Sequence, residues 1–333
     1  MSDTLNHTYS LQTAVLFLVF NRPDTTKQVF NAIRQAKPPR LYVAADGPRS
    51  GRPNEAEQVE KVRLIATSVD WPCEVKILFQ KENLGCKLAV VQAIDWFFTH
   101  EEHGIVLEDD CLPHSDFFIY CDSLLERYLT DEQVWAITGD NFQNGRRRGE
   151  ASYYFSRFNH AWGWASWRRA WSKRDMEMMF WPKWKQSSEW IDWLPDKFER
   201  KYWENNFDLV FRNEIDTWDF QWTASVWFNR GLTVTPNVNL IRNIGFGKDA
   251  THTLISKSNS DSDFMATEAL GPIVHSTNVL LDVEADRYVF NSHFEGFKFR
   301  FPFSLYYLPR RLFAQGFRFL KRLLSPPASA RAE

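Results

Sequence analysis

Between Ala14 and Asn141, short runs rich in Val, Ile, Leu and Phe alternate with stretches of helical period, and this alternation constrains the chain more than any other feature. The runs are Ala14–Phe20, Arg40–Ala45, Glu74–Gln80, Gly104–Glu108 and Gln133–Thr138. Each has the length and composition of a buried strand. Between them, one predicted helix gathers Val90, Ile94, Phe97 and Phe98 on one face, and the next gathers Phe117, Cys121, Leu124, Leu125 and Tyr128. Strand and helix in alternation imply the α/β class, with a mainly parallel sheet and right-handed crossovers. Ligands of such sheets bind beyond the carboxyl ends of the strands. Function is therefore to be sought in the loops Asn21-Arg22-Pro23, Asp46-Gly47-Pro48, Asn83-Leu84-Gly85 and Glu108-Asp109-Asp110.

Several function classes lose their signatures. No G-x-G-x-x-G follows the first strand and no G-x-x-x-x-G-K-[ST] occurs, which argues against a dinucleotide dehydrogenase and a P-loop enzyme. Forty basic against 42 acidic residues give a net charge of −2, without the basic field of a nucleic-acid binder. Cys73, Cys86, Cys111 and Cys121 lack CxxC spacing and read as reduced thiols. The polar start, Met1 to Thr13, lacks a signal-peptide pattern, and Ala14–Phe20 is too short to span a bilayer, so a cytoplasmic location is expected. Residues 298–324 are basic, rich in Phe and Leu and free of acids, which suits peripheral association with an anionic membrane surface or docking on the chain itself. Composition contributes one outlier: 15 Trp, 28 Phe and 10 Tyr, many of the Trp lying between Trp162 and Trp227. These rings suit either sugar faces or a large aromatic core. The expected organisation is a nucleotide-binding α/β half over 12–145, an acceptor half over 146–257, an extension over 258–297 and the tail over 298–333.

The sharpest chemical feature is Glu108-Asp109-Asp110 at the end of an apolar run. Strand alternation predicts Glu108 and Asp110 on one side and Asp109 on the other. Carboxylates crowded beside a core repel one another and resist desolvation, so they call for a cation or several donors. Mg²⁺ or Mn²⁺, held by one or two carboxylates and by substrate phosphates, answers that need. The competing expectation is an acidic cap for the helix near His114.

Taken together, Phe20-Asn21-Arg22-Pro23, Ala45-Asp46-Gly47, Glu82-Asn83-Leu84-Gly85 and Leu107-Glu108-Asp109-Asp110-Cys111-Leu112, followed by Asp116-Phe117-Phe118, resemble GT-A nucleotide-sugar glycosyltransferases. The likeness is to bacterial family-2-like sugar transferases and the N-acetylglucosaminyltransferase I group, over about Ala14 to Thr253. It implies a Rossmann-like sheet, a UDP-sugar donor and Mn²⁺ or Mg²⁺. Carried onto this chain, it places Asn21, Arg22, Asp46, Lys81, Asn83 and Asp109 on the nucleotide and Glu108 near the donor sugar. Asp110 becomes the metal ligand, joined by His252 of Asn243-Ile244-Gly245-Phe246-Gly247-Lys248-Asp249-Ala250-Thr251-His252. Trp162, Gly163 and Trp164 are expected to frame the sugars, and Asp219, with Asp216 as alternative, to deprotonate the acceptor. Phe220 stands where the N-acetylglucosaminyltransferase group has a second Asp, and Asp219 could instead cap the helix it opens. The implied activity is inverting transfer of a sugar to a glycan or lipid-linked glycan, in cell-surface polysaccharide or lipopolysaccharide synthesis. A retaining transferase, a nucleotidyltransferase and a non-catalytic glycan binder with a Trp surface are the alternatives.

Overall fold

The computed structural model describes residues 9–245, 266–304 and 306. In chain order the elements are β1 (Val15–Val19), α1 (Pro23–Ala36), β2 (Arg40–Ala45), α2 (Glu55–Ala66), β3 (Glu74–Phe79), α3 (Cys86–His100), β4 (His103–Glu108), β5 (Cys111–Pro113), α4 (Ser115–Arg127), β6 (Val134–Thr138), β7 (Tyr153–Ser156) and β8 (Trp164–Trp167). Three short helices follow: α5 (Arg168–Trp171), α6 (Trp181–Trp184) and α7 (Ser188–Trp193). Then come α8 (Lys197–Phe211), α9 (Asp219–Phe228), β9 (Leu232–Pro236), β10 (Ile241–Asn243) and α10 (Val283–Ser292). Every strand predicted from the apolar runs is present, its ends within a residue of the expected ones.

Eight strands form one sheet in the order β3-β2-β1-β4-β8-β6-β9-β7. β1 pairs in parallel with β2 and β4, β2 with β3, and β6 with β9. β8 is antiparallel to both β4 and β6, and β7 is antiparallel to β9, so all strands but β7 and β8 run one way. The architecture is a mostly parallel α/β sheet flanked by helices, Rossmann-like as expected. β7, β8 and β9 belong to the second half of the chain yet continue the sheet begun by the first.

Local chemistry explains the elements. Pro23 opens α1, where its missing N–H costs nothing, with Asp24 in the first turn and Arg34 in the last, and Lys37 closes it in the left-handed conformation. The apolar faces of α3 and α4 are buried largely as the spacing predicts, with Ile94, Phe97, Phe98, Phe117, Cys121, Leu124 and Leu125 in the core. α8 runs to Phe211, with Phe207 and Val210 continuing its buried stripe. All four cysteines are free thiols.

The aromatic surplus is core. Of the 15 Trp, all but Trp96 and Trp162 are buried. Trp164, Trp171, Trp218 and Trp222 form a contiguous cluster, with Trp164 stacked on Trp218 at 5.8 Å between ring centroids. A second cluster joins Trp181, Trp184, Trp190, Trp203 and Trp227 to Phe207. The first cluster fixes the start of α9, and with it Asp219, against β8. Of the 258–297 extension, α10 packs on the sheet: its Asp286 is fully buried and accepts from Arg157 Nε (2.8 Å) and Ser156 Oγ (2.6 Å).

Among the described residues no helix is long and apolar enough to cross a membrane. The start of the 258–297 extension, up to residue 265, and the tail after Tyr306 lie outside the described residues.

Candidate active site

β2 and β3 lie on one side of β1 and β4 on the other, so the connection order reverses between β1 and β4, where an open parallel sheet leaves its crevice. A cavity of about 630 Å³ occupies that position. Its floor is the carboxyl ends of four parallel strands: Leu18 to Phe20, Ala44 to Asp46, Leu78 with Gln80, and Glu108 to Asp110. Its far wall is Ile215 to Phe220, which leads into α9.

All three acids line this cavity. The expected separation of Asp109 from its neighbours does not occur, because β4 ends at Glu108 and a turn carries Asp109 and Asp110 to the same opening. Nor do the acids cap a helix: β5 intervenes, and α4 is capped by His114, whose Nδ1 accepts from the Asp116 N–H at 3.2 Å. Asp109 accepts from the Phe20 N–H at 3.0 Å, and Asp110 pairs with Arg22 at 2.5 Å. Burial and the neighbouring carboxylates push Glu108 up to about 8. Burial, then Asp110, push Asp109 up to about 7, against the pull of Arg22. One guanidinium thus faces three carboxylates, a surplus of acid of the kind that a divalent cation relieves. Among the described residues no three His, Cys, Asp or Glu side chains are grouped to hold a metal by themselves. A divalent ion at these acids would take one or two carboxylates from the protein and complete its shell with phosphate oxygens and water.

Other expected residues fall differently. Asp46 lines the cavity, but its carboxylate accepts from Asn83 Nδ2 (2.8 Å) and from the N–H groups of Gly47 (2.8 Å), Leu84 (2.9 Å) and Gly85 (3.2 Å). Those donors match the acceptor capacity of a carboxylate, so Asp46 ties the β2 and β3 loops together rather than offering an open edge to a base. Asn83 is half-buried at the cavity wall with its amide in that same tie. Asn21 does not line the cavity; its amide donates to Glu55 at 3.0 Å. Lys81 is exposed and also away from it. Trp164 is 2% exposed inside the Trp cluster and does not line this cavity, which removes it as a sugar platform there: its strand, β8, points it into the layer beneath α9. Gly163 does not line this cavity either. Its φ of +67° and the contact of Ile241 where a Cβ would stand make it a positioning glycine. His252 lies outside the described residues, and of its segment only Asn243, Ile244 and Gly245 are described. β10 pairs with β5 and brings Gly245 so close to Asp110 that a Cβ there would overlap the carboxylate.

Arg49, Cys86 and Thr217 line the cavity without having been singled out by pattern. Arg49 follows the Asp46-Gly47-Pro48 turn directly; its guanidinium pairs with Glu55 and sits 5.3 Å from the Phe20 ring centre. Cys86 opens α3, and burial plus the surrounding carboxylates push its thiol up to about 12, so it is an inert wall rather than a nucleophile.

A smaller cavity of about 180 Å³ adjoins the first. The two share Ala161, Trp162, Asp219 and Phe220. Asp219 is the first residue of α9 and not its cap, which is Trp218. Its Oδ1 accepts from the Thr217 hydroxyl and, at 2.9 Å, from the Phe220 N–H. Asp216 lines only the larger cavity. The arrangement offers a cavity with two arginines and an acid cluster, a smaller aromatic one, and a carboxylate at their junction.

No protein-family model and no curated protein matches the chain. Among solved structures it is similar to HddC from Yersinia pseudotuberculosis, with a TM-score of 0.29 and 10% identity over 47% of this chain and 78% of that one. It is also similar to UDP-glucose pyrophosphorylase complexed with UDP-glucose, with a TM-score of 0.25 and 12% identity over 44% and 62% of the respective chains. Likenesses this distant carry no inference about activity, and the fold rests on the sheet order and the crevice already described.

Proposed function

We propose that the chain is a GT-A glycosyltransferase that moves a sugar from a nucleoside diphosphate, of the UDP class, to a hydroxyl of a glycan acceptor with inversion. The observation that carries this reading is the position of Asp219 on the wall common to both cavities. A transfer between two bound substrates needs its base where their sites meet, within hydrogen-bonding reach of the acceptor hydroxyl. Asp219 takes the hydroxyl proton as that oxygen attacks the anomeric carbon from one side. The bond from this carbon to the diphosphate breaks on the other, and its electron pair leaves with the nucleotide. Asp216, confined to the larger cavity, serves the donor side. Asp110 would hold the divalent ion, whose chemistry when bound is neutralisation of charge on the diphosphate. Arg22 and Arg49 bring guanidinium groups to the same cavity, suited to phosphate oxygens.

The glycan-binder alternative needed an open Trp surface, and the burial of all but two Trp leaves it little to work with. Association with an anionic membrane through 298–324 belongs to the same proposal; Phe301, Phe303 and Tyr306 are exposed at the start of that segment. It is tested by sedimenting the full chain and a Lys298–Glu333 deletion with anionic vesicles, equal partitioning counting against it.

The transferase reading is tested with Asp219→Asn, assayed for sugar transfer from a panel of nucleotide sugars to lipid-linked and free glycans. Transfer falls by about 10²–10⁴-fold with donor binding unchanged. A variant that transfers at the wild-type rate removes Asp219 from the chemistry.

A further inference from the structure

The smaller cavity carries its own chemical signature. Six of its walls are Phe or Trp rings, Phe142, Phe158, Trp162, Trp203, Phe220 and Phe294, which suit the C–H faces of a pyranose. Two polar groups stand buried among them. Asn159 is 8% exposed, and neither its amide oxygen nor its amide nitrogen has a hydrogen-bond partner. Asp140 is fully buried; its Oδ2 accepts from the Trp162 N–H at 3.1 Å while its Oδ1 has no partner. Unpartnered amides and carboxyls are uncommon in a folded interior, and here two of them, from separate loops, belong to residues that line one small cavity. A sugar hydroxyl both donates and accepts, so it can answer the Asn159 oxygen, the Asn159 nitrogen and the Asp140 oxygen alike.

The charge of the walls is equally specific. Among the described residues no Lys or Arg lines this cavity, in contrast to Arg22 and Arg49 in the larger one. Its two imidazoles, His160 and His293, are held neutral by burial, His293 down to about 4. The remaining ionisable walls are acids, Asp140 and Asp219. A phosphate or carboxylate entering here would meet carboxyl groups and no cation.

We infer that the smaller cavity is the acceptor subsite and that it selects a single uncharged pyranose, rejecting phosphorylated and uronic sugars. The inference rests on the transferase reading, since only that reading makes the cavity an acceptor site, and it adds the class of acceptor. Asn159 is its specificity residue and Asp140 holds the ring's opposite polar edge. The cavity of about 180 Å³ is sized for one sugar ring and not for a chain, so the rest of an oligosaccharide acceptor extends outward.

Saturation-transfer NMR on the full chain, with UDP and Mn²⁺ present, tests this directly. The probes are methyl glucoside, methyl galactoside, methyl mannoside and methyl N-acetylglucosaminide, against glucuronic acid and glucose 6-phosphate. At least one neutral glycoside is expected to show transfer and the two anions none. Asn159→Ala, and the isosteric Asn159→Asp as a second variant should the first fail to fold, weaken the neutral signal by about tenfold or more. UDP affinity, titrated separately, stays within about twofold of wild type. Equal binding of the anions, or neutral binding unaffected by both variants, overturns the acceptor inference while leaving the donor reading intact. Loss of UDP binding in the wild type, with neutral sugars still bound, overturns the donor reading instead.

Discussion

Asp109→Asn is expected to stabilise the protein in the absence of metal, and the effect has a definite pH profile. In the folded chain burial and the Asp110 carboxylate push Asp109 from its ordinary 3.8 up to about 7. The folded state therefore keeps a proton that the unfolded chain releases near pH 4. As pH rises from about 4 to about 7 the unfolded state is favoured progressively, and above about 7 both states are ionised and the penalty is constant. The span from 3.8 to about 7, at about 1.36 kcal/mol per pH unit, sets a ceiling of roughly 4 kcal/mol. Asparagine keeps an acceptor for the Phe20 N–H and pays no charging cost. Its advantage over wild type should be absent near pH 4, grow through pH 5 to 7 and level off at roughly 2–4 kcal/mol by pH 8. Urea unfolding in a chelator at pH 4, 6 and 8, read as a midpoint shift at constant slope, measures it. A wild type as stable as the variant at pH 8, or a gap that does not change with pH, refutes the reasoning.

Asp286→Ala leaves the Arg157 guanidinium buried without its carboxylate and should cost about 3–5 kcal/mol in denaturant unfolding. Trp164→Ala removes a buried ring from the cluster beneath α9 and should cost about 3–5 kcal/mol. Trp162→Ala, by contrast, empties a half-exposed wall common to both cavities; it should weaken ligand binding by about tenfold while shifting stability by less than about 1.5 kcal/mol. Gly245→Ala places a methyl on the Asp110 carboxylate and should weaken UDP binding at least about tenfold in calorimetry, with an unchanged circular dichroism spectrum.

The strands that build the crevice were legible because each is a short apolar run between helices, and the acid triad was legible because three carboxylates end one of those runs. The direction of Asp109 was not, since alternation holds only while a strand lasts, and β4 stops one residue earlier. The Trp-rich stretch illustrates a different limit. Composition says that rings are abundant but not whether they turn inward, and β8 sends Trp164 into the core while Trp162, two residues earlier, remains at the cavity wall. Asp46 was placed correctly at the crevice but occupied otherwise, because the backbone donors of Leu84 and Gly85 come from a loop nearly forty residues away. The smaller cavity was beyond sequence reasoning altogether: its walls come from the loop after β6, from the loop before β8, from α8 and α9 and from the end of α10.

The central claim is that the larger cavity takes a nucleoside diphosphate with the help of Asp110 and a divalent ion. Calorimetric titration of UDP, with GDP, CMP and dTDP for comparison, each with and without Mn²⁺, on wild type and Asp110→Ala, tests it most directly. The account predicts UDP binding that requires Mn²⁺ and disappears in Asp110→Ala. Absence of nucleotide binding under every condition, or UDP binding indifferent to both the metal and the variant, would contradict it.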